Sequence, residues 1–185
     1  MKSIDLSELK NHVDFGYFSQ NISRKSLKRS IKDKLKAWEL GHDYYDGDRN
    51  CGYGGFIDDN RWIRHLPLLL DLCSVDSNPS NKISILDIGC KKGFIVDAAI
   101  KLGYSAIGIE NHIYPLTKAN EKIKHRLLDG NYFDLPFVDN SFEFCIAFSS
   151  IYMQNLKDVI KTLKEIKRVS YESFISVAAY NHEWE

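Results

Sequence analysis

From Lys82 onward, short apolar runs alternate with amphipathic stretches. Strands are predicted near residues 83–88, 104–109, 125–129, 142–148 and 173–179, with helices near 93–102, 114–124 and 154–169 between them. The last helix is the clearest: Leu156, Val159, Ile160, Leu163, Ile166 and Val169 make one stripe at helical spacing. Strands and helices alternating in this way predict βαβ units and a parallel sheet, with right-handed crossovers placing helices on both faces. Ligands of such sheets bind beyond the carboxyl ends of the strands. Chemistry is therefore expected just after Ile88, Ile109, Leu128 and Phe148.

Residues 1–80 have a different texture, polar and partly basic. Ile22, Leu27, Ile31, Leu35 and Trp38 fall near helical spacing, while Arg24, Lys25, Lys28, Arg29, Lys32, Lys34 and Lys36 mostly fill the other face. A second helix is predicted from about Arg61 to Cys73, with Pro67 bending it or marking its start. Between the two, Asp43–Phe56 has no periodicity and reads as a Gly/Tyr-rich loop. The turn formers of Ser74–Asn81 make the best join. The expected organisation is an N-terminal helical and lid segment over 1–80 and a core over 81–185, compact together.

Composition narrows the class. The chain has 185 residues, 44% hydrophobic and 27% charged, as expected of a globular domain rather than a disordered chain. Its 25 basic and 25 acidic residues cancel, which argues against a protein built to coat nucleic acid. No apolar run approaches the roughly 18 residues of a membrane span, and Asp5 and Glu8 interrupt any signal-peptide pattern. The four cysteines lack CxxC or zinc spacing, and the six histidines lack HxH or HExxH spacing. A cytoplasmic protein with reduced thiols and no metal site is expected.

The sharpest signal is Ile85-Leu86-Asp87-Ile88-Gly89-Cys90-Lys91-Lys92-Gly93-Phe94: an apolar strand, an acid, two glycines, then a helix. Glycine admits close approach to a ligand, and the helix offers unpaired N–H groups at its positive end. The dehydrogenase fingerprint is excluded, because it needs a glycine where Lys91 stands. Further along come Ala106-Ile107-Gly108-Ile109-Glu110, then Gly130-Asn131-Tyr132-Phe133-Asp134-Leu135-Pro136-Phe137, and then Phe148-Ser149-Ser150-Ile151. Together these resemble the class I S-adenosylmethionine-dependent methyltransferases. Asp87, Gly89 and Gly93 match motif I (D/E-x-G-x-G-x-G), with Lys91 at the middle glycine. Gly130–Phe137 is similar to the family's G-D-A-x-x-L-P-F, with Asn131 at the Asp.

The resemblance implies a Rossmann-like, doubly wound α/β fold with strand order 3-2-1-4-5 and S-adenosyl-L-methionine as cofactor. The family's final hairpin strands are absent up to Glu185, and a second copy covering the open sheet edge is one expected remedy. Asp87, Gly89, Cys90 and Gly93 are expected at the amino-acid end of the cofactor, and Glu110 at the ribose. Asn131 and Tyr132 fall to the adenine, and Ser149 beside the methyl group. The Asp43–Phe56 loop resembles the N-terminal segment of some bacterial methyltransferases that modify surface polysaccharides or small molecules. Tyr45, Tyr53 and Arg61 are expected to shape an acceptor site under a lid, with Asp46, Asp48 and His65 as candidate bases. The expected activity is methyl transfer to a small-molecule or sugar-linked O or N acceptor. The alternative is a catalytically inactive relative with a binding or regulatory role. An RNA methyltransferase using the basic helix is a third, less favoured reading.

Overall fold

A computed structural model of the protein describes residues 41–47, 55–76, 78, 83–151 and 154–177. The basic stretch Arg24–Lys36, Asp48 and Tyr53 lie outside these residues. The chain forms two compact units, Met1–Phe56 and Ile57–Glu185. In the first, His42–Tyr45 forms one helical turn, and Tyr45 is buried with its ring 5.5 Å from that of Phe56.

The second unit carries the sheet. Its elements are α1 (Arg61–Leu72), β1 (Ser84–Ile88), α2 (Phe94–Lys101), β2 (Ser105–Glu110), α3 (Ile113–Thr117), β3 (Leu127–Asp129), β4 (Phe142–Phe148), α4 (Leu156–Val169) and β5 (Ser170–Ser176). All strand pairs are parallel, as the alternating pattern predicts, in the order β3-β2-β1-β4-β5 that the resemblance implies. The middle of the central strands is mostly apolar because both faces are covered, with Asp87 of β1 the buried exception. Ile85, Phe144 and Ile146 join Leu66 and Leu70 of α1 and Val96 and Ala99 of α2 on one side. Leu86, Cys145 and Ala147, one residue out of phase, join Ile166 and Val169 of α4 on the other.

Two boundaries and one buried face differ from expectation. The helix predicted over 114–124 closes at Thr117, because the Asn120 side chain accepts the Lys122 N–H and starts a turn. The last strand begins at Ser170, three residues earlier than predicted. The Ser170 hydroxyl donates to the Ile166 carbonyl, so helix passes to strand without a linker. The stripe of α4 is also only partly inward. Ile166 and Val169 are buried with Thr162, whereas Leu156, Ile160 and Leu163 are 74%, 47% and 40% exposed.

Candidate active site

β1 leaves the sheet through a turn with left-handed backbone at Gly89, Lys91 and Gly93. The Gly89 and Cys90 N–H groups both donate to the Ile109 carbonyl, at 2.8 and 3.2 Å, which pins the turn to β2. Gly93, at φ +79°, then caps the N-terminus of α2. A Cβ on Gly89 would lie 2.2 Å from Cβ of Ser150, whose hydroxyl donates to the Ile88 carbonyl at 2.7 Å. The loop after β4 therefore rests directly on the glycine turn. The sequence places Phe148-Ser149-Ser150-Ile151 at the end of this strand and singles out Ser149; it does not foretell that Ser150 packs on the glycine turn.

Two carboxyl groups meet at this end of the sheet. Asp87, in β1, is 2% exposed, and its Oδ2 has no hydrogen-bond partner among the described residues. Burial, then the nearby Glu110 charge, pushes its pKa up to about 8, against a lowering pull from Lys91. Glu110, at the end of β2, is equally enclosed but well supplied. Its Oε2 accepts the Lys91 N–H at 3.0 Å, and its Oε1 accepts the His112 N–H at 3.0 Å and the Tyr132 hydroxyl at 2.9 Å. Burial raises the Glu110 pKa, and these donors work against it.

Tyr132 thus reaches back from the segment after β3 to the end of β2. Its hydroxyl also lies 3.0 Å from Oδ1 of Asn111 and accepts the Asn111 N–H at 3.3 Å. Burial and Glu110 raise its pKa well above the ordinary value, so it remains a proton donor. The adjacent Asn131 is exposed. Ser149 sits at the end of β4, with its N–H donating to the Ser176 carbonyl at 3.1 Å. The Cys90 thiol is buried, and its pKa is raised by burial and then by Asp87 and Glu110, which keeps it unreactive.

The other expected residues are more dispersed. His65, half-buried on α1, has its ring 6.4 Å from Trp62, which packs at 5.1 Å against Phe148 at the carboxyl end of β4. Arg61 makes a two-pronged contact with Asp59, through Nε at 2.8 Å and a terminal nitrogen at 2.5 Å. Asp46 ends the His42–Tyr45 turn in the first unit.

Chemically, the crevice offers an orphaned buried carboxyl oxygen, a glycine turn leading into a helix, and a second carboxylate one strand away. An orphaned oxygen in this setting wants a cationic or donor partner. That set suits a ligand with a cationic or donor group for Asp87 and a hydroxyl donor for Glu110, at one of whose oxygens the Tyr132 hydroxyl already stands.

Residues 86–172 match the family model described as a methyltransferase domain. No curated protein matches the chain. Among solved structures, it is similar to the PH0226 protein of Pyrococcus horikoshii, at 24% identity and TM-score 0.48, covering 57% of this chain and 49% of that one. It is also similar to YcgJ of Bacillus subtilis, at 23% identity and TM-score 0.48, covering 57% and 46%. A protein provisionally described as a methyltransferase from an antibiotic biosynthesis pathway of Anabaena variabilis matches at 20% identity and TM-score 0.51, covering 61% and 44%. The matched part thus spans about half the length of each of these proteins.

Proposed function

We propose that this chain, which belongs to the class I S-adenosylmethionine-dependent methyltransferases through residues 86–172, binds S-adenosylmethionine at the carboxyl end of β1 and β2 and transfers its methyl group to a small-molecule or sugar-linked O or N acceptor. The observation that carries the reading is the buried Asp87 oxygen, left without a partner among the described residues, beside the Gly89–Gly93 turn. When bound, the cofactor supplies a methyl carbon made electrophilic by its positive sulfur. Asp87 then accepts from the amino-acid ammonium, and the glycine turn lets the backbone approach that end closely. Glu110 would accept from the ribose hydroxyls, Asn131 would serve the adenine, and Ser149 would stand toward the methyl-bearing end. The loop after β4 excludes water from the glycine turn.

For a hydroxyl acceptor, a base that takes its proton accelerates the step. His65 is the candidate supported best, since its neighbour Trp62 packs on Phe148 at the sheet end where the site lies. Arg61, in the same unit, is proposed to shape the acceptor site. Among the described residues no helix is long and apolar enough to cross a membrane.

Isothermal titration of the folded protein with S-adenosylmethionine tests the reading. Saturable binding is expected, and none at millimolar cofactor would end it. The Tyr132–Glu110 bond favours a second reading, a catalytically inactive methyltransferase fold with a binding or regulatory role. Methylated product from any acceptor, detected by mass spectrometry, excludes it.

A further inference from the structure

We propose that Tyr132 is a resident competitor for the nucleoside: its hydroxyl holds the place on Glu110 that a ribose hydroxyl would take, so the cofactor enters only after Tyr132 withdraws. The inference rests on the reading of Glu110 as the ribose acceptor. A phenolic O–H and a ribose O–H offer a carboxylate the same single donor. At 2.9 Å from Oε1, the Tyr132 hydroxyl is at full hydrogen-bond distance. With the His112 N–H it fills that oxygen, and the Lys91 N–H takes one of the two places on the other. A diol presenting two donors therefore finds one vacant acceptor place at most until the tyrosine leaves.

The contact is not a casual surface one. Tyr132 is 3% exposed and packs among Leu86, Ile88, Ile109 and Ile151. Its hydroxyl lies 3.5 Å from where a Cβ on Gly89 would stand, so it reaches the floor of the glycine turn itself. The sequence hints at the same point: Tyr132 stands where the resembled G-D-A stretch carries alanine, which can reach no carboxylate. A protein whose competent state is only a fraction of the whole binds with apparent affinity reduced by that fraction. Tyr132 sets the fraction.

The test uses S-adenosylhomocysteine, titrated calorimetrically into the wild type, Tyr132→Phe and Tyr132→Ala, each first shown folded by its circular dichroism and melting transition. Affinity is expected to rise several-fold in Tyr132→Phe, which frees the Glu110 oxygen but keeps the ring, and tenfold or more in Tyr132→Ala. Stopped-flow binding adds a readout that a merely structural role would not move. The wild-type rate should level off at high ligand, limited by withdrawal of Tyr132, while the Tyr132→Ala rate keeps rising linearly. Measurable binding with equal affinity and equal kinetics in all three proteins overturns the competitor role and leaves the cofactor reading standing. No binding to any folded variant overturns both. Should Tyr132→Ala fail to fold, the near-isosteric Tyr132→Phe decides alone.

Discussion

At the scale of single residues, Asp87 is the group with most at stake. Its pKa of about 8 lies above the ordinary aspartate value of 3.8, so between those limits the folded protein holds a proton that the unfolded chain has released. Stability from this group is full below about pH 4, falls as pH rises, and is lost once pH passes about 8. Asp87→Asn is therefore expected to melt higher than the wild type at pH 8, with the gap closing toward pH 4.5 in scanning calorimetry. A gap constant across pH would deny Asp87 that titration. The same carboxyl makes a second prediction. At pH 7 it is protonated, and an ammonium arriving beside it favours the carboxylate, so cofactor binding should release a proton. The binding enthalpy should then vary with the ionisation enthalpy of the buffer in the wild type and not in Asp87→Asn. The strand-acid-glycine spacing made Asp87 legible in the sequence, and Glu110 was legible as the acid that ends the next strand. The destination of the Tyr132 hydroxyl was not, because it spans 22 positions and depends on how β2 and β3 pair.

At the scale of elements, α4 separates spacing from burial. Its six-residue stripe has the helical period, yet the buried face is Thr162, Ile166 and Val169. Thr162 is accommodated there because its hydroxyl donates to the Gln154 side chain at 2.9 Å. Ile166→Ala should cost about 3 kcal/mol in denaturant unfolding, whereas Ile160→Ala should stay within about 0.5 kcal/mol. Near the end of the helix, Arg168 donates to the Leu135 and Phe137 carbonyls and to Asp139, and forks onto Glu165. It ties the Leu135-Pro136-Phe137 turn to α4. Arg168→Lys keeps the charge but loses the fork, and hydrogen exchange at Phe137–Asn140 is expected to quicken in that variant. Unchanged exchange there would deny the tether.

Across the whole molecule, the site depends on chain segments far apart in sequence. Gly89 and Ser150 lie at the ends of neighbouring strands, and the glycine turn can exist only where Ser150 allows it. Gly89→Ala brings a left-handed alanine and an overlap with the Ser150 side chain, roughly 2–4 kcal/mol together. Ser150→Gly in the same chain should recover the overlap but not the backbone strain, giving a non-additive double-mutant cycle in denaturant unfolding. Additive losses would show that the two segments are independent. The sequence by itself determined the alternation of strands and helices, the glycine turn and the positions of its acids, because periodicity, backbone freedom and motif spacing are local properties. Only the tertiary structure decided that Asp87 keeps an orphaned oxygen, that Tyr132 occupies Glu110, and that half of the α4 stripe faces outward. Burial and hydrogen-bond partners are set by which segments the fold brings together, and no local pattern encodes that.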